Sequence, residues 1–289
     1  MSEVQTTSGS AGTPGSAGTS GHPRTSAVGT VIRSANTERA GALIGYLPVG
    51  FPNLEQSIDA AVALVENGVD VLELGLPYSD PVMDGPVIQK ATQTALENGF
   101  RLRDAFTAVE AIRGRVDAPI LLMTYYNPVV QYGIERFAND LVSAGGAGLI
   151  TPDLTVDSGA EWITASDRTG LDRVFLTAPT STDERLKLAI DNSRGFVYVV
   201  STMGVTGARN DVDAAARTLV DRLRANGLET DGSSGACVGI GISTGDQVAE
   251  VLAYADGAIV GSALVRALAD DGVAGVGRVA AALAAGTSR

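Results

Sequence analysis

Two carboxylates raise the question of chemistry in this chain. The stretch "VLELGLPYSDPVMDGP" (71–86) begins as an apolar strand, yet Glu73 interrupts it, and Asp84 follows in a loop that carries Pro77 and Pro81. A carboxylate without a partner in a low-dielectric interior is costly, and its pKa rises. Strand alternation places Leu72 and Leu74 on one face and Glu73 on the other. No arginine falls in the interior of any strand-like run to pair with it. A structural ion pair is the plain alternative; an acid–base group aimed into a site is the favoured reading. Asp84, alone, would read as a turn residue, and it gains weight from Glu73.

Other reactive groups are scarce. The only histidine is His22, near the N-terminus; the only lysines are Lys90 and Lys187; the only cysteine is Cys237. No lysine lies in a strand-like run, which argues against Schiff-base chemistry. A single cysteine outside any activating motif argues against thiol catalysis and excludes an intrachain disulfide. Carboxylates, tyrosines, hydroxyls and backbone groups remain. If a C–C or C–H bond breaks here without metal or imine, the substrate must supply its own electron sink. Tyr125 and Tyr198 can present hydroxyls to a cavity, although packing is the commoner role of a strand tyrosine. Asn127 reads as a turn residue before Pro128, and Trp162 as structural.

The elements that must position these groups follow a regular order. Eight short apolar runs recur: "ALIGYL" (42–47), "VDVLELG" (69–75), "PILLMTY" (119–125), "AGLITP" (147–152), "RVFLTAP" (173–179), "GFVYVVS" (195–201), "CVGIGIS" (237–243) and "GAIVGSA" (257–263). Near-continuous apolar runs suit parallel strands covered on both faces. Helical segments lie between them, such as 53–68, where Asn53 is a candidate N-cap and Asn67-Gly68 a stop. The connection between runs two and three has room for two helices, about 88–98 and 102–115. The expected fold is therefore a (β/α)8 TIM barrel with an extra helix after strand 2, spanning residues 37–289. A doubly wound open sheet is the second choice, disfavoured by the count of eight and by the lack of a GxGxxG after the first strand. Residues 1–36 are rich in Gly, Ser and Thr and are expected to form a disordered extension.

In such a barrel the site lies at the C-terminal ends of the strands. Three glycine-bearing turns fall there: "STMGVTGAR" (201–209), "GIGIS" (239–243) and "VGSALV" (260–265). Together they point to a phosphate held by backbone N–H groups and a helix N-terminus. The chain is 45% hydrophobic and 19% charged, with a net charge of −12. That acidity argues against nucleic acid and anionic membrane surfaces as partners. No signal-peptide-like stretch is evident, and a cytoplasmic location is expected.

Several of these motifs carry a resemblance. "LELGLPYSDPVMDGPVIQ" (72–89) is similar to the signature of the tryptophan synthase alpha chain family, and "LLMTYYNPV" (121–129), "VYVVSTMGVTGAR" (197–209), "VGIGIS" (238–243) and "IVGSALV" (259–265) resemble the same family in the same order. The likeness covers roughly residues 40–285. It implies a (β/α)8 barrel that cleaves indole-3-glycerol phosphate to indole and glyceraldehyde 3-phosphate by a reversible retro-aldol reaction. It implies Glu73 and Asp84 as the catalytic pair. It places Gly207, Gly241, Gly261 and Ser262 at phosphate-binding positions, and Tyr46, Tyr125, Tyr198, Thr206 and Ile240 at or near the substrate. It implies no metal or organic cofactor in this chain, pyridoxal phosphate in a beta-chain partner only, and an alpha-beta-beta-alpha tetramer for tryptophan biosynthesis. Loops 77–87 and 202–211 would act as lids. The sequence departs from the family at "GFP" (50–52), where Gly-Asp-Pro is common, at Tyr46 and Ile240, where phenylalanine is common, and at Thr155, where proline is common near the expected partner contact. Two other readings stay open: a sugar-phosphate isomerase on the same barrel, and a non-enzymatic binding partner.

Overall fold

The computed structural model describes residues 26–200, 209–229, 234–239 and 241–288. Nine strands form one sheet: β1 (Ala42–Pro48), β2 (Val71–Gly75), β3 (Ile120–Met123), β4 (Gly148–Ile150), β5 (Asp172–Val174), β6 (Leu176–Thr177), β7 (Gly195–Val200), β8 (Ser234–Gly239) and β9 (Gly257–Val260). Their order is β5-β4-β3-β2-β1-β9-β8-β7-β6, and each pairing is parallel. The two ends of this order are successive pieces of chain with only Phe175 between them, so the sheet closes on itself. The expected fifth strand is thus two short ones, β5 pairing with β4 and β6 with β7. The closed order confirms the barrel over the open sheet.

The helices are α1 (Ala27–Glu38), α2 (Leu54–Glu66), α3 (Pro86–Glu97), α4 (Leu102–Arg113), α5 (Tyr126–Tyr132), α6 (Ile134–Ser143), α7 (Ala160–Thr169), α8 (Asp183–Asn192), α9 (Arg209–Ala225), α10 (Gly245–Leu252) and α11 (Ser262–Ala284). The two helices expected between strands 2 and 3 are α3 and α4. Local chemistry sets the bounds of α2. The Asn53 side chain accepts from the Gln56 N–H at 2.9 Å, and Gly68 takes a φ of +97° just past the end. A residue with a Cβ would be strained in that conformation.

Alternation along the strands builds two apolar layers. Ala42, Ile44, Val71, Leu121, Ile150, Val174, Phe196, Cys237 and Ile259 fill the barrel interior. Leu43, Leu47, Leu72, Leu74, Ile120 and Leu122 face the helices. Glu73 is paired in register with Tyr46 on one side and Leu121 on the other, so it belongs to the inner face. This is the orientation expected from Leu72 and Leu74.

The barrel domain begins earlier than the sequence suggests. The extension expected to be disordered runs to residue 36, but α1 occupies residues 27–38. Val28, Ile32 and Ala35 lie on one face of it and are buried with the interior cluster. The Ser26 hydroxyl caps the helix by accepting from the Gly29 N–H, and donates to Asp172 at 2.9 Å. The Val28 N–H donates to the same carboxylate at 3.1 Å. Asn36 reaches the Asp256 carbonyl at 2.9 Å. These contacts all fall at the N-terminal ends of β5 and β9, so α1 seals the floor of the barrel. Burying Val28 and Ile32 contributes about 4 kcal/mol, which offsets the cost of ordering a weakly helical segment. That gain comes in large part from β7 and β8, more than a hundred positions away, and cannot be read locally. Residues 1–25 lie outside the described residues.

Candidate active site

β1 and β2 place the first two groups. Tyr46 and Glu73 are register partners, and both side chains enter the upper interior. Glu73 is 1% exposed. Its Oε2 atom is buried and makes no hydrogen bond within the described residues. Burial, and secondarily the nearby charge of Asp84, pushes the Glu73 carboxyl up to about 8. At neutral pH it is therefore largely protonated and able to donate. Arginine does occur in a strand, contrary to expectation: Arg173 sits mid-way in β5. It is engaged with Asp167, Ser166 and the Asn192 carbonyl at the barrel floor, and not with Glu73.

Asp84 lies half-buried in the loop between β2 and α3, two residues before the α3 N-terminus at Pro86. Burial raises its pKa. Its charge acts on Glu73, Tyr46, Tyr125 and Tyr198, which places these four groups within electrostatic range of Asp84. Burial also pushes the Tyr46 and Tyr198 hydroxyls well above the usual phenol range. Both stay protonated and available as donors.

Two glycines at strand ends, Gly75 and the first glycine of the GIGIS turn, make room for these phenols. A methyl group on Gly75 would come within 2.2 Å of the Tyr46 hydroxyl, and one on Gly239 within 2.8 Å of the Tyr198 hydroxyl. Glycine at the end of an apolar strand is the available signal for such close approach. Two polar contacts escape sequence reasoning. The Tyr125 hydroxyl accepts the Val82 and Met83 N–H groups, and Asp153 accepts the Tyr126 N–H. Asn127 is inside α5 rather than in a turn, and Trp162 is fully buried in α7 as a packing residue.

Gly241, Gly261 and Ser262, expected at the phosphate, follow the ends of β8 and β9, and β9 is the strand next to β1. Gly261 caps α11 without a side-chain hydrogen bond, and Ser262 opens the helix. The first N–H groups of a helix lack intrahelical acceptors and carry positive potential, and here the Leu264 N–H is already taken by the Gly261 carbonyl at 2.9 Å. A methyl on Gly261 would lie 3.4 Å from the Tyr46 ring, so this helix end adjoins the carboxylate site. Gly241 has a φ of +77° and open space beside its Cα. Thr206, Gly207 and Ile240 lie outside the described residues, as does most of the 202–211 segment expected to act as a lid. Of the departures, Phe51 is buried and Thr155 exposed. Among the described residues no cluster of three or more His, Cys, Asp or Glu is arranged to hold a metal ion. No helix among them is long and apolar enough to cross a membrane.

The arrangement can hold an anion at one end and pass a proton at the other, with a second carboxylate beside it. Comparison with known proteins identifies the family. The family model for the tryptophan synthase alpha chain matches residues 32–285. The chain is 68% identical over 264 residues to the tryptophan synthase alpha chain of Leifsonia xyli subsp. xyli, covering 91% of this chain and 99% of that one. It is 51% identical over 261 residues to the alpha chain of Mycobacterium avium, covering 90% and 94%. Its fold matches a structure of Mycobacterium tuberculosis tryptophan synthase with a TM-score of 0.84 at 48% identity, over 92% of this chain and 99% of that one. It matches the tryptophan synthase complex of Pyrococcus furiosus with a TM-score of 0.74 at 34% identity, over 85% and 98%. By sequence and by fold, the chain belongs to the tryptophan synthase alpha chain family.

Proposed function

We propose that Glu73 and Asp84 carry out the alpha reaction of this family in this chain. The chain is a carbon–carbon lyase of tryptophan biosynthesis, cleaving indole-3-glycerol phosphate reversibly to indole and glyceraldehyde 3-phosphate. The observation that carries the residue assignment is the buried, largely protonated Glu73, with one oxygen unpartnered and within range of the Asp84 charge.

Indole C3 is nucleophilic. Glu73 donates its proton there, giving an indoleninium whose nitrogen is the electron sink. Asp84 accepts the indole N–H and stabilises the positive charge. The Glu73 carboxylate then takes the proton of the adjacent glycerol hydroxyl. The C–C bond breaks, its electrons return to the ring, and the aldehyde forms. One group serving as acid and then base works best with a pKa near ambient pH, and a value of about 8 meets that need. Tyr46, Tyr125, Tyr198, Thr206 and Ile240 border the substrate. Gly207, Gly241, Gly261 and Ser262 bind the phosphate through backbone N–H groups and the α11 N-terminus. No metal or organic cofactor enters this reading.

The same reading includes a beta-chain partner holding pyridoxal phosphate, to which indole passes within an alpha-beta-beta-alpha tetramer. The M. tuberculosis and P. furiosus neighbours are whole tryptophan synthases. Val82, on the Asp84 loop, is 80% exposed, and Leu188 is exposed beside the 152–157 segment near the expected partner contact. A cytoplasmic location follows from this pathway role. The test is indole release from indole-3-glycerol phosphate, with and without the beta chain. Release that rises with the beta chain supports the reading; none in either case refutes it, and turnover of a sugar phosphate instead would favour the isomerase.

A further inference from the structure

The loop that carries Asp84 leaves β2 after Gly75 and next meets regular structure at Pro86. A connection of this length with no element of its own would leave the carboxylate free to wander. Two side chains fasten it near the carboxylate: Gln89 Nε2 donates to the Asp84 carbonyl at 2.8 Å, and Tyr125 holds the residues that precede Asp84. The Tyr125 hydroxyl oxygen accepts the Val82 N–H at 2.9 Å and the Met83 N–H at 2.8 Å, the two residues just before Asp84. Near the start of the loop, the Tyr78 ring packs on the Tyr125 ring with centroids 5.1 Å apart. Tyr125 thus grips the loop on both sides of its exposed tip.

Tyr125 is itself rigidly placed. It is buried, and it is the N-cap of α5. The next N–H, that of Tyr126, donates to both carboxylate oxygens of Asp153, at 2.9 and 3.2 Å. A phenol oxygen that already accepts two N–H groups has little acceptor capacity left for a substrate. Its oxygen is committed to the loop.

We propose that Tyr125 is a positioning residue for Asp84, its hydroxyl holding the Val82–Met83 backbone so that the Asp84 carboxylate stays turned towards Glu73. This rests on the reading of Asp84 as the group that grips the indole nitrogen.

The test uses Tyr125→Phe, which keeps the ring and removes the acceptor. Indole release and amide hydrogen exchange over residues 77–85 are measured in the wild type, Tyr125→Phe, Asp84→Asn and the double variant. Exchange at Val82 and Met83 should quicken about tenfold, as two neutral hydrogen bonds are lost. Indole release should fall about tenfold in kcat, and the same substitution should cause no further fall in the Asp84→Asn background. Unchanged exchange and turnover in Tyr125→Phe would overturn the proposal. So would an equal fall in both backgrounds with exchange unchanged, which would make Tyr125 a direct substrate contact. Wild-type turnover by Asp84→Asn would instead overturn the reading of Asp84, and the proposal with it.

Discussion

Replacing Glu73 by glutamine should stabilise the barrel, and the gain should grow with pH. The Glu73 carboxyl is raised from an ordinary 4.5 to about 8 in the folded protein. Below 4.5 it is protonated in both folded and unfolded chains, and contributes no pH-linked cost. Between 4.5 and about 8 the unfolded chain ionises while the folded barrel keeps its proton. Folding then takes up a proton, and stability falls by about 1.4 kcal/mol per pH unit. About 3 kcal/mol is lost by pH 7, and the decline ends above 8. Glutamine does not titrate, so the variant lacks this slope. Asp172 and Asp256, also raised by burial, titrate alike in both proteins and cancel in the comparison. Urea unfolding at pH 5, 6, 7 and 8 would read the difference through the fluorescence of Trp162, the chain's single tryptophan, which is fully buried. The stability gap should widen by about 3 kcal/mol across that range. A gap that stays constant with pH would refute a raised Glu73 and the acid role built on it.

Further outcomes follow from the same geometry. If Glu73 delivers the first proton, kcat/KM for indole release should fall on the alkaline side with a midpoint near 8, and a pH–rate profile checks this. Ile32→Ala should cost about 2–4 kcal/mol in chemical unfolding, by opening a cavity at the barrel floor, while turnover per folded molecule is unchanged. Gly75→Ala drives a methyl against the Tyr46 hydroxyl; it should destabilise by about 1–3 kcal/mol and reduce indole release through displacement of Tyr46. Ser262→Asp places a negative charge at the α11 N-terminus. It should leave thermal stability intact or slightly higher, yet raise KM for the phosphate substrate about tenfold or more.

The barrel was legible because its strands are continuous apolar runs and its helices carry their own stop signals. Gly68, Gly170 and Gly227 all take positive φ just past helix ends, where a glycine in the sequence marks them. Glu73 was legible as an acid in an apolar run, and its inward direction came from Leu72 and Leu74 alone. What escaped depends on distant partners. α1 is ordered by Asp172 and the barrel floor, and its own Ser, Thr and Gly content argues for disorder. The split at Phe175 arises from β5 and β6 facing different neighbours, which no local pattern records. The fastening of Val82 and Met83 by Tyr125 joins residues over forty positions apart through backbone N–H groups, which leave no trace in side-chain identity. Gly75 reads as a strand end and Gly239 as part of a turn, and the structure adds a reason for each in the phenol packed against it. The substrate came from family resemblance, since acids and a phosphate cradle alone fit more than one reaction.

The most direct test of the central claim is indole release by Glu73→Gln in the assembled complex with the beta chain, beside the wild type. Glutamine matches the shape of the protonated acid but can neither donate a proton to indole C3 nor remove one from the glycerol hydroxyl. The account predicts a loss of at least about 10²–10⁴-fold in kcat, with the complex intact and the far-ultraviolet circular dichroism unchanged. Near wild-type release of indole by that variant would contradict it.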